Sequence, residues 1–105
     1  MAVYEMTRDL PDNERFGLVS QLRRTAVSVP SNIAEGNTSG SDGIYLRHVR
    51  IARGSVGELE TQLRIVDNLD LLEHGVPKAL WDDVGHMARL TNGLWRYLRD
   101  KTSRQ

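Results

Sequence analysis

At 105 residues, with 14 basic and 14 acidic side chains and no cysteine, the chain suits one domain with a single modest core (1–105). It has no disulfide, no thiolate metal set and no thiol nucleophile. No run of about 18 apolar residues is long enough for a membrane span, and zero net charge argues against a general pull on nucleic acid. No charged-then-apolar leader with a cleavage site is readable, so a cytoplasmic address is expected.

The charge is balanced but segregated. Glu5, Asp9, Asp12 and Glu14 make the start acidic. Seven arginines dominate residues 15–64. Asp67, Asp70, Glu73, Asp82 and Asp83 turn the next stretch acidic, and Arg89, Arg96, Arg99, Lys101 and Arg104 make the tail basic.

A short first helix is expected over about 2–10, with Val3, Met6 and Leu10 on its apolar side. Leu10-Pro11-Asp12-Asn13 ends it and caps a second helix over about 13–36. There Val19, Leu22, Ala26, Val29 and Ile33 recur at steps of three and four, the spacing of one helical face. Pro30 lies well inside that seam. It removes a backbone hydrogen bond and clashes with the carbonyl four residues back, so a kink is expected.

Around the proline, Ser31, Asn32 and Glu35 raise two readings. As reagents, Glu35 is a general base and Ser31 a nucleophile, but no histidine neighbours them in sequence and no second carboxylate stands at a useful spacing. As fasteners, Asn32 and Glu35 hydrogen-bond to the next helix, where Glu58, Thr61, Gln62 and Arg64 surround the seam. The second reading is the expectation, with Gly36 ending the helix.

The glycine- and serine-rich loop Gly36–Gly43 then leads into a third helix over about 42–72, capped by Ser41 or Asp42. Its seam is Tyr45, Val49, Ala52, Val56, Leu59, Leu63 and Val66. Gly54 and Gly57 interrupt its interior at a cost of about 1 kcal/mol each relative to alanine. That cost points to another backbone approaching closely, and the expected visitor is the second helix near Pro30. Arg47, Arg50 and Arg53 form an acid-free arc away from the seam, with Arg23 and Arg24 as a doublet on the second helix and Arg15 upstream. The arc reads either as a solvated face or as a phosphate-tracking surface repeated in an oligomer.

Glu73-His74-Gly75-Val76-Pro77 supplies a left-handed stop and a proline suited to opening a fourth helix over about 77–100. Leu80, Val84, Met87, Thr91, Leu94 and Leu98 form its seam. Beside it, Trp81, Ala88 and Trp95 recur every seven residues, as subunit contact or as core.

His48, His74 and His86 have no metal-ligand spacing, and "GNTSGSDG" lacks the lysine of a phosphate loop, so neither metal nor cofactor nor small-molecule substrate is expected. No segment alternates like a strand. The fold class is all-α: an antiparallel up-and-down four-helix bundle with a short first helix and a Pro-kinked second.

The stretches "ERFGLVSQLRRTAVSVPSNIAEG" (14–36), "ARGSVGELETQL" (52–63) and "LTNGLWRYLR" (90–99) together resemble a family. It is a bacterial four-helix-bundle family first noticed as proteins encoded in intervening sequences of 23S ribosomal RNA genes. The likeness spans about Val3 to Arg99. It implies a helical bundle assembling as a homopentameric ring. A distant relation is the accessory protein of diversity-generating retroelements, a basic pentamer that binds nucleic acid and a reverse transcriptase.

The reading that follows is a non-enzymatic oligomeric scaffold that binds RNA, DNA or a nucleic-acid-associated protein through Arg23, Arg24, Arg47, Arg50 and Arg53. In this reading Pro30, Ser31, Asn32, Glu35, Gly36, Gly54, Gly57, Glu58 and Gln62 are the structural motif, and Trp81, Ala88 and Trp95 the subunit contact. The alternative is a protein-interaction module with no nucleic-acid role.

Overall fold

The computed structural model describes residues 2–104, with the side chains of Arg15 and Phe16 outside the described set. Four helices carry the fold: α1 (Ala2–Thr7), α2 (Ser20–Thr38), α3 (Asp42–Asn68) and α4 (Lys78–Ser103). No strand occurs among the described residues.

The seams meet as the spacing predicts. Leu22, Leu59 and Leu63 are fully buried, and Val29, Val56, Val66, Leu80 and Val84 join them in one cluster. α3 packs on both α2 and α4, while α1 lies against α2. Val3, Met6 and Thr7 are the buried residues of α1. Arg23 on α2 fastens that short helix: its Nε donates to Thr7 Oγ1 at 2.9 Å and its guanidinium lies 4.7 Å from the Tyr4 ring centroid.

The way into α2 is less regular than expected. A 3₁₀ turn (Asp12–Glu14) and a π-helical turn (Arg15–Val19) precede it. The α-helix then begins at Ser20, not near residue 13, and runs through Pro30 to Thr38 without a break. Pro30 has no N–H to offer the carbonyl of Ala26. Two residues on, Asn32 Nδ2 donates to the Ser28 carbonyl at 2.8 Å, adding a side-chain bond to the disturbed turn.

Gly36 does not end the helix. It is buried, and a Cβ built on it would stand 2.8 Å from Tyr45 Cδ1, 2.9 Å from His48 Cβ and 3.1 Å from Tyr45 Cα. The close approach expected at Gly54 and Gly57 is therefore made here. A Cβ on either of those two glycines would meet nothing within 4 Å among the described residues, because both lie on the exposed side of α3.

The turns are short. Ser39–Ser41 connects α2 to α3, with Gly40 at φ +76° and the Ser41 hydroxyl accepting the Ile44 N–H at 3.3 Å as the helix cap. α3 stops at Asn68, earlier than the expected 72. Leu71 and Leu72 still pack on the core, from the turn that follows. Gly75 sits at φ +73°, as its place in that turn predicts, and Asp67 Oδ1 accepts the Val76 N–H at 2.7 Å.

Where the two longest helices meet at their ends, Lys101 Nζ lies 3.1 Å from Asp42 Oδ2. Asp42 is in the first turn of α3 and Lys101 in the last turn of α4, where each charge also suits its helix dipole. The hydrogen bond to Asp42 and its negative charge hold the Lys101 amine above its ordinary pKa. A raised folded-state pKa stabilises fully below the unfolded value of about 10.4, and the gain is lost as pH rises through the folded value. The melting-temperature gap between wild type and Lys101→Met should thus be constant below about pH 9 and close in more alkaline buffer. A gap that persists there would assign it to packing.

Candidate functional site

Two side-chain arrays stand out on this frame, one at the α2–α3 seam and one at the α3–α4 face. The first is a polar ladder. Ser28 Oγ and Ser55 Oγ lie 2.8 Å apart, Asn32 Nδ2 donates to Ser28 Oγ at 3.1 Å, and Asn32 Oδ1 is 3.0 Å from His48 Nδ1. Because the Asn32 amide nitrogen is committed to Ser28, its oxygen faces the imidazole, which makes His48 Nδ1 the donor. Glu35 Oε2 lies 3.6 Å from the same Nδ1 and is largely exposed.

His48, Ser55 and Gln62 are spaced by seven on α3, one flank of the helix, and this flank meets α2. The expected partners of Asn32 and Glu35 were Glu58, Thr61, Gln62 and Arg64. The partners present are Ser28 and His48 for Asn32, and His48 for Glu35. The close approach at Gly36 pulls the start of α3 against the end of α2 and brings His48, not the middle of α3, to these side chains. Ser31 and Glu58 are exposed. Gln62 is buried without a protein partner for Oε1, on a polar cleft it shares with Arg24, Ser28, Ser55 and Glu58.

Chemically the ladder is a fastener. The Ser28 hydroxyl touches another hydroxyl and an amide, neither of which accepts a proton as a base would. His48 meets an amide oxygen and a carboxylate. Two residues that matter here, His48 and Ser55, were outside the expected motif; the readable signal was their seven-residue spacing beside the seam.

The second array joins groups that had been assigned to two different roles. The Arg53 guanidinium lies 4.2 Å from the Trp95 ring centroid and Arg99 4.6 Å from it. Arg53 Nε also donates to Asn92 Oδ1 at 2.6 Å. Arg50 is exposed one turn before Arg53 on α3. Arg47 stands at the other edge of the arc, toward α2, since the three span about 120° at 100° per residue. Arg47 and Arg50 have no acidic partner among the described residues.

Arg23 belongs to neither array, being half-buried and bound to α1, and exposed Arg24 contacts Ser20 on its own helix. The side chain of Arg15 lies outside the described residues. Of the aromatic stripe, Trp81 and Ala88 pack against the core cluster, while half-buried Trp95 supports the two arginines.

No group of three or more metal-binding side chains gathers among the described residues, and no described helix is long and apolar enough to cross a membrane. The curated proteins searched contain no match to this chain. The model of one family does match, over residues 1–93, which include the Pro30–Gly36 stretch, the ladder and Arg53. By that match, spanning most of the molecule, the chain belongs to the 23S rRNA-intervening sequence protein family.

Proposed function

We propose that the protein is a non-enzymatic, oligomeric helical scaffold, located in the cytoplasm, whose α3–α4 face binds RNA or DNA. The single observation carrying this reading is the Arg53–Trp95–Arg99 stack next to unpaired Arg50. An indole holds two guanidinium groups in place, so less side-chain freedom is lost when they meet phosphates. Arginine's planar fork suits phosphate oxygens. One copy of so small a patch on a neutral chain binds weakly, and repetition around a homopentamer multiplies it without new contacts.

The test is gel retardation of RNA at low and moderate salt by wild type and by an Arg50→Ala, Arg53→Ala, Arg99→Ala variant. Retardation by wild type that weakens steeply from low to moderate salt, and its loss in the variant at unchanged assembly mass, support the reading. Equal retardation by both proteins removes this face. A second reading is favoured by the zero net charge and by apolar side chains left in solvent on α3 and α4: a protein-interaction module with no nucleic-acid role. Capture of a partner that survives nuclease treatment, without RNA retardation, selects it.

A further inference from the structure

The seam between α2 and α3 opens outward into a polar cleft of about 350 Å³ that shares Ser28 and Ser55 with the ladder. Five polar side chains are buried among the described residues, and three of them, Thr25, Ser55 and Gln62, line this cleft. Elsewhere the buried hydroxyls are used: Thr7 is bound by Arg23, and Thr91 donates to the Met87 carbonyl at 2.9 Å. In the cleft, Thr25 donates to the Gln21 carbonyl at 2.8 Å. Gln62 differs. It is 6 % exposed, and its Oε1 has no hydrogen-bond partner among the described residues. A polar group buried without a partner destabilises a fold, so this one is suited to a donor from outside it.

The serine pair leaves a second opening. Two hydroxyls bring two protons, and one of them lies between the oxygens, 2.8 Å apart. Asn32 approaches Ser28 Oγ as a donor, so the other proton finds no acceptor among the described residues.

Register sorts these groups onto two walls. Ser28 meets Ser55 across antiparallel helices, which sets Arg24, one turn before Ser28, level with Glu58, about one turn after Ser55. Helical side chains lean toward the N-terminus, so Gln62 leans back toward Glu58. On α3, Glu58 and Gln62 Oε1 are acceptors four positions apart. On α2, Arg24 and Ser28 are donors at the same spacing. Arg24 and Glu58 make no ion pair among the described residues, and Arg24 touches only Ser20, at 3.4 Å.

The lining also excludes occupants. No aromatic side chain lines the cleft, so a nucleobase has nothing to stack on. No aliphatic one does either, so the apolar face of a partner helix gains nothing there. Opposite charges on the two walls suit neither a simple anion nor a simple cation.

We infer that this cleft is a binding site for a free α-amino acid. Glu58 and Gln62 Oε1 accept from its ammonium, while Arg24 and the uncommitted serine hydroxyl donate to its carboxylate. The polar lining favours a small or polar side chain on the ligand. Arg24 and Glu58 are exposed, so each charge contributes little and affinity falls in the millimolar range. The site lies on a different face from the Arg53–Trp95–Arg99 stack and does not depend on nucleic-acid binding.

The experiment titrates the isotope-labelled full chain with L-serine through the millimolar range and follows backbone amide signals by nuclear magnetic resonance. Saturable shifts are expected between Gln21 and Ser28 and between Ser55 and Gln62. Serinamide, which lacks the carboxylate, and N-acetyl-L-serine, which lacks the ammonium, are expected to cause none. Glu58→Gln and Gln62→Met are each expected to weaken L-serine binding by about tenfold or more. Methionine matches glutamine in shape and needs no partner, so Gln62→Met is expected to melt at the wild-type temperature or above it.

L-serine that shifts no signal overturns the proposal. So do shifts caused by N-acetyl-L-serine alone, which would mark a plain anion site at Arg24. Undiminished binding by either variant overturns it too, and a Gln62→Met chain that melts well below wild type assigns the amide to the fold instead.

Discussion

Leu63→Ala lowers the unfolding free energy by about 2–5 kcal/mol, a large share of the roughly 5–15 kcal/mol that holds a domain of this size together. Leu63 is fully buried in the shared cluster of α2, α3 and α4 and borders none of the clefts described above. Removing its branched end loses the transfer energy of the buried carbons and leaves a void that three long helices cannot collapse into without shearing against each other. The matched control is Leu69→Ala. Leu69 follows the end of α3 and is 60 % exposed, so its truncation should change stability by no more than about 0.5 kcal/mol. Urea titration followed by circular dichroism compares the two. Equal effects would mean that α3 is not the central helix of the core.

Gly36→Val is the second large effect, with the opposite cause: overpacking instead of a void. The new Cβ would collide with Tyr45 and with the Cβ of His48, and the Tyr45 Cα at 3.1 Å belongs to the backbone and has no rotamer in which to escape. α2 and α3 must separate, at a cost of about 1–3 kcal/mol. For a chain of this length that is a fall in melting temperature of roughly 10 °C. The separation also moves Asn32 away from His48, so the polar ladder loosens along with the packing. Gly54→Ala, on the open side of α3, should by contrast stabilise an isolated chain by up to about 1 kcal/mol through helix propensity alone. A Gly36→Val protein that melts like wild type would contradict the close approach of these helices.

These two glycines show what was legible in the sequence and what was not. The three seams were readable because burial leaves a period of three and four, and each seam residue from Val49 to Val66 is buried where that period places it. A glycine leaves no such mark. Gly36 read as a stop because glycine followed by Asn-Thr-Ser-Gly is turn chemistry, yet its lack of a side chain serves α3, six residues further on in sequence. Gly54 and Gly57 read as close-packed because helix-interior glycine is costly, yet nothing among the described residues approaches them.

The ladder was half visible. Asn32 and Glu35 stood out as polar residues beside a seam, but which helical turn they would meet depends on how far α2 slides along α3. That slide is set by the three-residue turn and the Gly36 contact, which no periodicity encodes. The end of α3 was misplaced for a related reason: Leu71 and Leu72 are apolar because they pack on the core, and they do so after the helix has already ended. Arg53 and Trp95 looked unrelated because they lie 42 positions apart, and only the antiparallel pairing of α3 and α4 puts one on the other.

The seat of α1 has a consequence beyond packing. Ala2–Thr7 is tied down by Arg23 and by the shelter given to Val3 and Met6. It is the element that peels away first under mild stress, its amide hydrogens trading with solvent long before those at the centre of α3. One guanidinium thus decides how firmly this end of the molecule stays closed.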